Sequence, residues 1–134
     1  MARLRHLALR CRDVDTSRHF YEAVIGFHFI GYRSDGHSLD LSDGTVNITL
    51  LPHEGERPAL EEGEEYIHFG ILVDDLETIW KRLQAWGSRA TKTVKQREQL
   101  DADAVPAIAF KTLDPDGNVI DISSDPGEWR GVTV

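Results

Sequence analysis

Cysteine is nearly absent from this sequence. Cys11 is its single occurrence, so no disulfide can form within the chain, and it lies in an apolar run where a thiol behaves as a small hydrophobe. That usage fits a reducing, cytoplasmic setting. Long hydrophobic runs are lacking too: no uninterrupted apolar stretch approaches the ~20 residues that span a bilayer. The opening Met1-Ala2-Arg3-Leu4-Arg5-His6 leads into alternating sequence and not into a signal-peptide core. Bases are in deficit, with 15 Lys and Arg against 23 Asp and Glu, for a net charge of −8. Such a chain repels phosphate backbones and anionic lipid, which speaks against nucleic acid and membrane surfaces as partners. What is present suffices for a core: 134 residues, 40% of them apolar, with five Phe, three Tyr and three Trp. That is a single domain's worth of chain.

The acidity is local. Between Glu54 and Glu77 stand Glu54, Glu56, Glu61, Glu62, Glu64, Glu65, Asp74, Asp75 and Glu77 against the lone base Arg57, so this stretch carries the whole net charge. It begins among Pro52, Gly55, Pro58 and Gly63, residues that punctuate a linker. The sequence therefore predicts a first module over 1–52, a solvated acidic linker over 53–65, a second module over 66–125 and a C-terminal tail over 126–134.

The two modules repeat. Arg5-His6-Leu7-Ala8-Leu9-Arg10-Cys11-Arg12-Asp13-Val14-Asp15 aligns with Ile67-His68-Phe69-Gly70-Ile71-Leu72-Val73-Asp74-Asp75-Leu76-Glu77 at an offset of 62, placing His6 on His68 and Asp13 on Asp75. Each segment alternates as a half-buried strand does and is followed by a helical period. In the second module Leu76, Ile79, Trp80, Leu83 and Trp86 mark one helical face, with Asp74 or Asp75 as N-cap and Gly87 as stop. In the first, Asp15 or Thr16 is the expected cap, Phe20, Tyr21 and Val24 the face, and Gly26 the stop. Phe20, Trp80 and Trp86 are expected in the core. Strands follow at Phe27 to Tyr32, Ser38 to Leu41 and Val46 to Leu51, with turns at Asp35-Gly36 and Asp43-Gly44. Their counterparts are expected near Ala90 to Val94, Ala107 to Thr112 and Asn118 to Ser123, with an insertion at Lys95 to Val105. The fold class is α+β, two βαβββ modules whose open mixed sheet lines a cavity.

Strand parity separates the faces. Leu7, Leu9 and Cys11 share one face of the first strand, leaving His6, Ala8 and Arg10 on the other. Phe69, Ile71 and Val73 oppose His68, Gly70 and Leu72, and in the last strand Ile120 and Ile122 oppose Val119, Asp121 and Ser123. Both histidines and the aspartate thus fall on the polar face. Two imidazoles and a carboxylate are a set that holds a divalent metal while leaving positions open, although the same residues could simply be exposed. In the fourth strand Asn47 and Thr49 share the polar face, the parity choice for substrate contacts, whereas counting from the Asp-Gly turns would select Ile48. Arg10, on the face of His6, could bind an anionic substrate group or pair with the acidic linker.

The His6 strand, Ser17-Arg18-His19-Phe20-Tyr21-Glu22 running to Ile25-Gly26-Phe27, the His68 strand running into Val73-Asp74-Asp75-Leu76, and Leu113-Asp114-Pro115-Asp116-Gly117-Asn118-Val119-Ile120-Asp121 together resemble the vicinal oxygen chelate superfamily. That superfamily includes glyoxalase I, extradiol dioxygenases, methylmalonyl-CoA epimerase, fosfomycin-resistance enzymes and bleomycin-binding proteins. The resemblance runs from about Ala2 to Asp125 and implies a glyoxalase-like fold. It also implies a divalent metal ion (Fe(II), Mn or Zn) on His6, His68 and Asp121, and a small-molecule substrate with two adjacent oxygens. It departs at Asp121, where a glutamate is usual.

By the same resemblance, glyoxalase I and the epimerase carry a fourth ligand, Glu or Gln, on the last strand of the first module. Here no carboxylate is available there, and both mechanisms need a base beside the metal. Three-ligand relatives are extradiol dioxygenases and fosfomycin-resistance enzymes that open an epoxide with a thiol or water. Dioxygenase-like chemistry requires a further acid or base, for which Tyr66 and His53 are the candidates. Transfer chemistry lacks a threonine at Ala8 and a serine and glycine cation loop after Lys95. Bleomycin-type relatives bind planar drugs without metal, a stacking role open to Trp129, Tyr32 or Phe110. Dioxygenase-like chemistry ranks first, in a homodimer that covers exposed sheet edges.

Overall fold

A computed structural model of the chain describes residues 2–57, 63–87 and 105–133. The chain divides into two compact units, Met1–Pro58 and Ala59–Val134.

In the first unit, alternation produces strand β1 (His6–Cys11), with Leu9 and Cys11 buried and His6, Ala8 and Arg10 exposed. Helix α1 (Val14–Phe20) starts at Asp13, whose Oδ1 accepts the backbone N–H groups of Asp15 at 3.0 Å and Thr16 at 3.1 Å. The cap is therefore Asp13 and not Asp15 or Thr16, because a capping carboxylate must precede the two N–H groups it satisfies. The helix continues into a π-helical turn, Tyr21–Ile25, and stops at Gly26, whose φ of 93° is available to glycine at little cost. Strands β2 (His28–Tyr32), β3 (Leu39–Ser42) and β4 (Asn47–Pro52) complete a sheet of order β1-β4-β3-β2, in which β1 and β4 run parallel. Cys11, Leu39, Leu41, Ile48 and Leu50 form the buried side with Phe20, Tyr21 and Val24. Burying each of these larger apolar side chains contributes about 1.5–3 kcal/mol.

The second unit repeats the plan with β5 (Phe69–Leu72), α2 (Leu76–Trp86), β6 (Ala109–Leu113) and β7 (Val119–Ser123), in a sheet of order β5-β7-β6 with β5 and β7 parallel. Asp75 caps α2 through the N–H groups of Glu77 and Thr78, and Gly87 ends it at φ 89°. Leu76, Ile79, Trp80 and Leu83 are buried, and Trp80 meets Phe110 of β6 edge-on with ring centroids 5.3 Å apart. Trp86 departs from the expected core. It is 37% exposed. Phe110 is core and not a ligand platform. The strand expected at Ala90 to Val94 lies outside the described residues, as does the insertion except for Val105. Among the described residues no helix is long and apolar enough to cross a membrane.

Candidate metal and substrate site

The polar faces of the two sheets carry the candidate residues. Cross-strand register makes the faces comparable. In the first unit Ala8 pairs with Thr49, and Thr49 with Asp40. In the second, Gly70 pairs with Asp121, and Asp121 with Lys111. The register thus makes Thr49 the structural counterpart of Asp121, as parity predicts, and not Ile48, which pairs with Leu7. A one-residue slip would have turned the apolar stripe of β4 outward.

On the first face a hydrogen-bonded row runs from His6 to Arg33. His6 Nδ1 lies 2.7 Å from Asn47 Oδ1. The Thr49 hydroxyl donates to Asp40 Oδ1 at 2.7 Å, and Arg33 Nη2 donates to Thr49 Oγ1 at 3.1 Å. Arg33 Nε donates to both Asp40 oxygens at 3.1 and 3.2 Å. Burial raises the Asp40 carboxyl, but hydrogen bonds from Thr49 and Asn47 and the Arg33 guanidinium outweigh it and hold the group below the ordinary carboxylate range. Thr49 is 1% exposed, so its hydroxyl is spent inside this row. Arg10 donates to the Pro52 carbonyl at 3.2 Å. Asp40 and Arg33 did not figure among the sequence candidates. Alternation of Asp40 and Ser42 with Leu39 and Leu41 was the available signal.

The second face is less complete. His68 Nδ1 lies 3.3 Å from Glu65 Oε1, and His68 Nε2 lies 3.5 Å from Asp121 Oδ2. Glu65 sits below its ordinary range because its own backbone N–H, then that of Gly63, then the His68 ring support its charged form against partial desolvation. Lys111 Nζ approaches Asp121 Oδ1 at 3.6 Å, and that oxygen is buried without a hydrogen-bond partner among the described residues. Lys111 was also missed, although alternation with the buried Phe110 and Thr112 places it on the polar face. Trp129 packs over Gly70: a Cβ there would lie 2.6 Å from Trp129 Cε2, which leaves room for glycine alone. Tyr66 is 98% exposed, and the His53 backbone N–H donates to the Cys11 carbonyl at 2.8 Å. Tyr32, half exposed, donates its hydroxyl to Asp15 at 2.6 Å.

These donors suit a divalent cation. Each histidine sets Nδ1 against an oxygen acceptor, the arrangement that leaves Nε2 as the ligating lone pair. The separation of His68 Nε2 from Asp121 Oδ2 is long for a hydrogen bond and close to the roughly 3.4 Å between two ligands about 2.1 Å from one tetrahedral ion. A buried carboxylate oxygen with a lysine ammonium 3.6 Å away but no hydrogen bond among the described residues is a feature that a cation would relieve. As they stand, no three His, Cys, Asp or Glu side chains among the described residues are gathered for metal binding.

The sequence pattern of the Glyoxalase/Bleomycin resistance protein/Dioxygenase superfamily matches residues 3–122. No curated protein sequence matches significantly. Solved structures share the fold. Oxidase ChaP-H2 is 19% identical with a TM-score of 0.70, over 97% of this chain and 98% of its own. The fosfomycin resistance protein FosX of Mesorhizobium loti is 16% identical with a TM-score of 0.68, over 93% of each chain. A structure described as a "possible Glyoxalase" from Bacillus cereus is 21% identical with a TM-score of 0.63, over 92% of this chain and 99% of its own.

Proposed function

Because the chain belongs to the Glyoxalase/Bleomycin resistance protein/Dioxygenase superfamily, we propose that it is a metal-dependent vicinal oxygen chelate protein with dioxygenase-like chemistry on a small molecule bearing two adjacent oxygens. His6, His68 and Asp121 would hold the ion. The observation that carries this reading is the donor chemistry: Nδ1 of each histidine faces an oxygen, and Asp121 Oδ1 is buried without a hydrogen bond among the described residues. A bound divalent ion would polarise both substrate oxygens.

The chain's own residues narrow the chemistry. Removing a carbon-bound proton, as a glyoxalase I-type lyase must, calls for a base beside the ion. The position opposite Ala8 supplies Thr49, a hydroxyl already committed to Asp40. Lys111, beside Asp121, offers a positive charge to an anionic substrate oxygen, and Asn47 presents its amide next to His6. Tyr66, fully exposed two residues before His68, remains the nearest acid or base in sequence. A second reading, fosfomycin-type epoxide opening by thiol or water, uses the same three ligands and is weakened by Ala8. We also propose a homodimer, supported by the exposed Tyr66 and Ile67, and a cytoplasmic location.

Elemental analysis of protein purified without added metal, followed by calorimetric titration with manganese, iron(II) and zinc, tests the site. Stoichiometric binding is expected. Less than a tenth of an equivalent on purification together with no heat of binding would overturn it. Oxygen uptake with catechols is then expected; thiol consumption with fosfomycin in its place would select the second reading.

A further inference from the structure

We infer that Trp129, set on the polar face of the second unit by the chain that follows β7, is a specificity-determining residue: its indole is the wall against which the ring of a ligand held at Asp121 is read. The inference rests on the proposed function for the place of the ligand's oxygens. The position of the indole is independent of any ion.

Register fixes where the indole stands. Gly70 pairs with Asp121 of β7, and Asp121 with Lys111 of β6, so the three positions form one row across the sheet. The indole atoms Cζ2, Cε2 and Cη2 fill the space that a side chain at Gly70 would need, Cε2 at 2.6 Å and Cη2 at 2.9 Å from the place of its Cβ. Trp129 therefore takes the cross-strand neighbour's place beside Asp121, one strand spacing of about 4.7–4.9 Å away. Among the described residues no position of β5, β6 or β7 on this face carries Phe, Tyr or Trp. The tail supplies the ring that the strands lack. Short local bonds hold it there: the Asp125 N–H donates to Ser123 Oγ at 3.1 Å, the Glu128 N–H to the Asp125 carbonyl at 3.0 Å, and the Val132 N–H to the Trp129 carbonyl at 3.2 Å.

The surroundings give that ring a use. The side chains of Lys111 and Asp121 are only 13% and 23% exposed, so the charged pair lies under partial cover. Trp129 is half-buried, which leaves part of the indole open. A ligand that is flat and negatively charged gains twice here, its anionic oxygen from the Lys111 ammonium and its ring from the indole. A ring-free ligand with the same oxygens gains the first contact alone. An aromatic pair of this kind is worth a preference of about 2- to 10-fold beyond the area it buries.

The test is ligand binding to zinc-loaded protein, with nitrocatechol as the aromatic probe and acetohydroxamate as the ring-free one. Trp129→Leu keeps an apolar cover over Gly70 and removes the ring, whereas Trp129→Phe keeps a ring. Trp129→Leu is expected to weaken nitrocatechol by about 2- to 10-fold and to leave acetohydroxamate nearly unchanged, with Trp129→Phe restoring most of the loss. Equal loss of both probes, or no loss of nitrocatechol, overturns the inference. Should Trp129→Leu unfold the unit, nuclear Overhauser contacts between nitrocatechol ring protons and the Trp129 indole of the parent protein decide: their presence supports the inference and their absence overturns it. If the parent takes up no divalent ion, the ligand reading of Asp121 fails. The same contacts are then sought in metal-free protein, where Lys111 still attracts the anion; found, they uphold the role of Trp129, and missing, they overturn it.

Discussion

The two polar faces are built on the same register and have opposite hydrogen-bond balance. In the first unit the cross-strand trio is Ala8, Thr49 and Asp40, and each polar atom of Thr49 and Asp40 has a partner, with Arg33 closing the row. In the second the trio is Gly70, Asp121 and Lys111, where one carboxylate oxygen is buried without a hydrogen bond among the described residues and the nearest ammonium stands 3.6 Å away. On the proposed reading, a duplicated scaffold has divided two tasks. A saturated network orients groups and gains nothing further from a ligand. A carboxylate left short of partners carries a desolvation cost that a cation or a substrate donor repays. The charge that makes the sequence acidic as a whole takes little part, since most of it is bunched between Glu54 and Glu77.

The largest effect should come from breaking the unsatisfied face. Asp121→Ala is expected to abolish binding of manganese, iron(II) and zinc in calorimetric titration while the second unit stays folded, because the residue is a half-buried polar position and not part of the apolar stripe. If Asp121→Ala binds metal as tightly as the parent, the division of tasks between the faces is wrong. Next in size is Thr49→Val on the saturated face. It leaves Asp40 and Arg33 short of a partner each, and a cost of about 1–3 kcal/mol in urea unfolding is expected. An isosteric change with no cost would show that the row adds nothing to stability.

Ala8 and Gly70 are equivalent in register and differ in what lies above them. Gly70→Ala drives a methyl into the Trp129 indole, so an overpacking cost of about 1–3 kcal/mol and a change in tryptophan emission are expected. Ala8→Val, on an exposed strand position, should stay within about 0.5 kcal/mol of the parent. Equal effects at the two sites would remove Trp129 as the cover of the second face.

Much of this contrast was legible in advance, for reasons that are local. Alternation in Leu7, Leu9 and Cys11 and in Phe69, Ile71 and Val73 fixed which side chains turn toward the core, and the offset of 62 between His6 and His68 carried the equivalence of the histidines. The same offset places Asp13 on Asp75, which is where the two helix caps stand. Partnership was not legible, because it depends on cross-strand register. Nothing in the order of residues says that Asp40 faces Thr49 or that Lys111 faces Asp121; the β2 and β3 pairing even shifts register between Phe29 and Gly31. The place of Trp129 was beyond reach as well, since a tail residue meets Gly70 through a chain reversal that leaves no periodic trace. Helical periodicity overreached at Trp86, for spacing marks which residues share a helix face and not how far each one on that face is buried.

The smallest effect concerns a fully committed carboxylate in the first unit. Asp35, in the loop before β3, accepts the backbone N–H groups of His37 and Ser38, each at 2.8 Å, and the Ser38 hydroxyl at 2.6 Å. Those donors, the Ser38 hydroxyl first, hold its carboxyl down at about 2 from 3.8. A group that binds its proton less tightly when folded stabilises the fold above its unfolded value and loses that contribution as pH falls through the folded value. The part of stability due to Asp35 is therefore complete above about pH 4 and drains away toward about pH 2. Asp35→Asn should lower stability at neutral pH and flatten the acid limb of a urea midpoint against pH curve in that window. Because the side chain is solvent-facing, the change should be small beside those at Thr49 and Gly70. An unchanged acid limb in Asp35→Asn would mean that the loop's donors are satisfied as well by water as by the carboxylate.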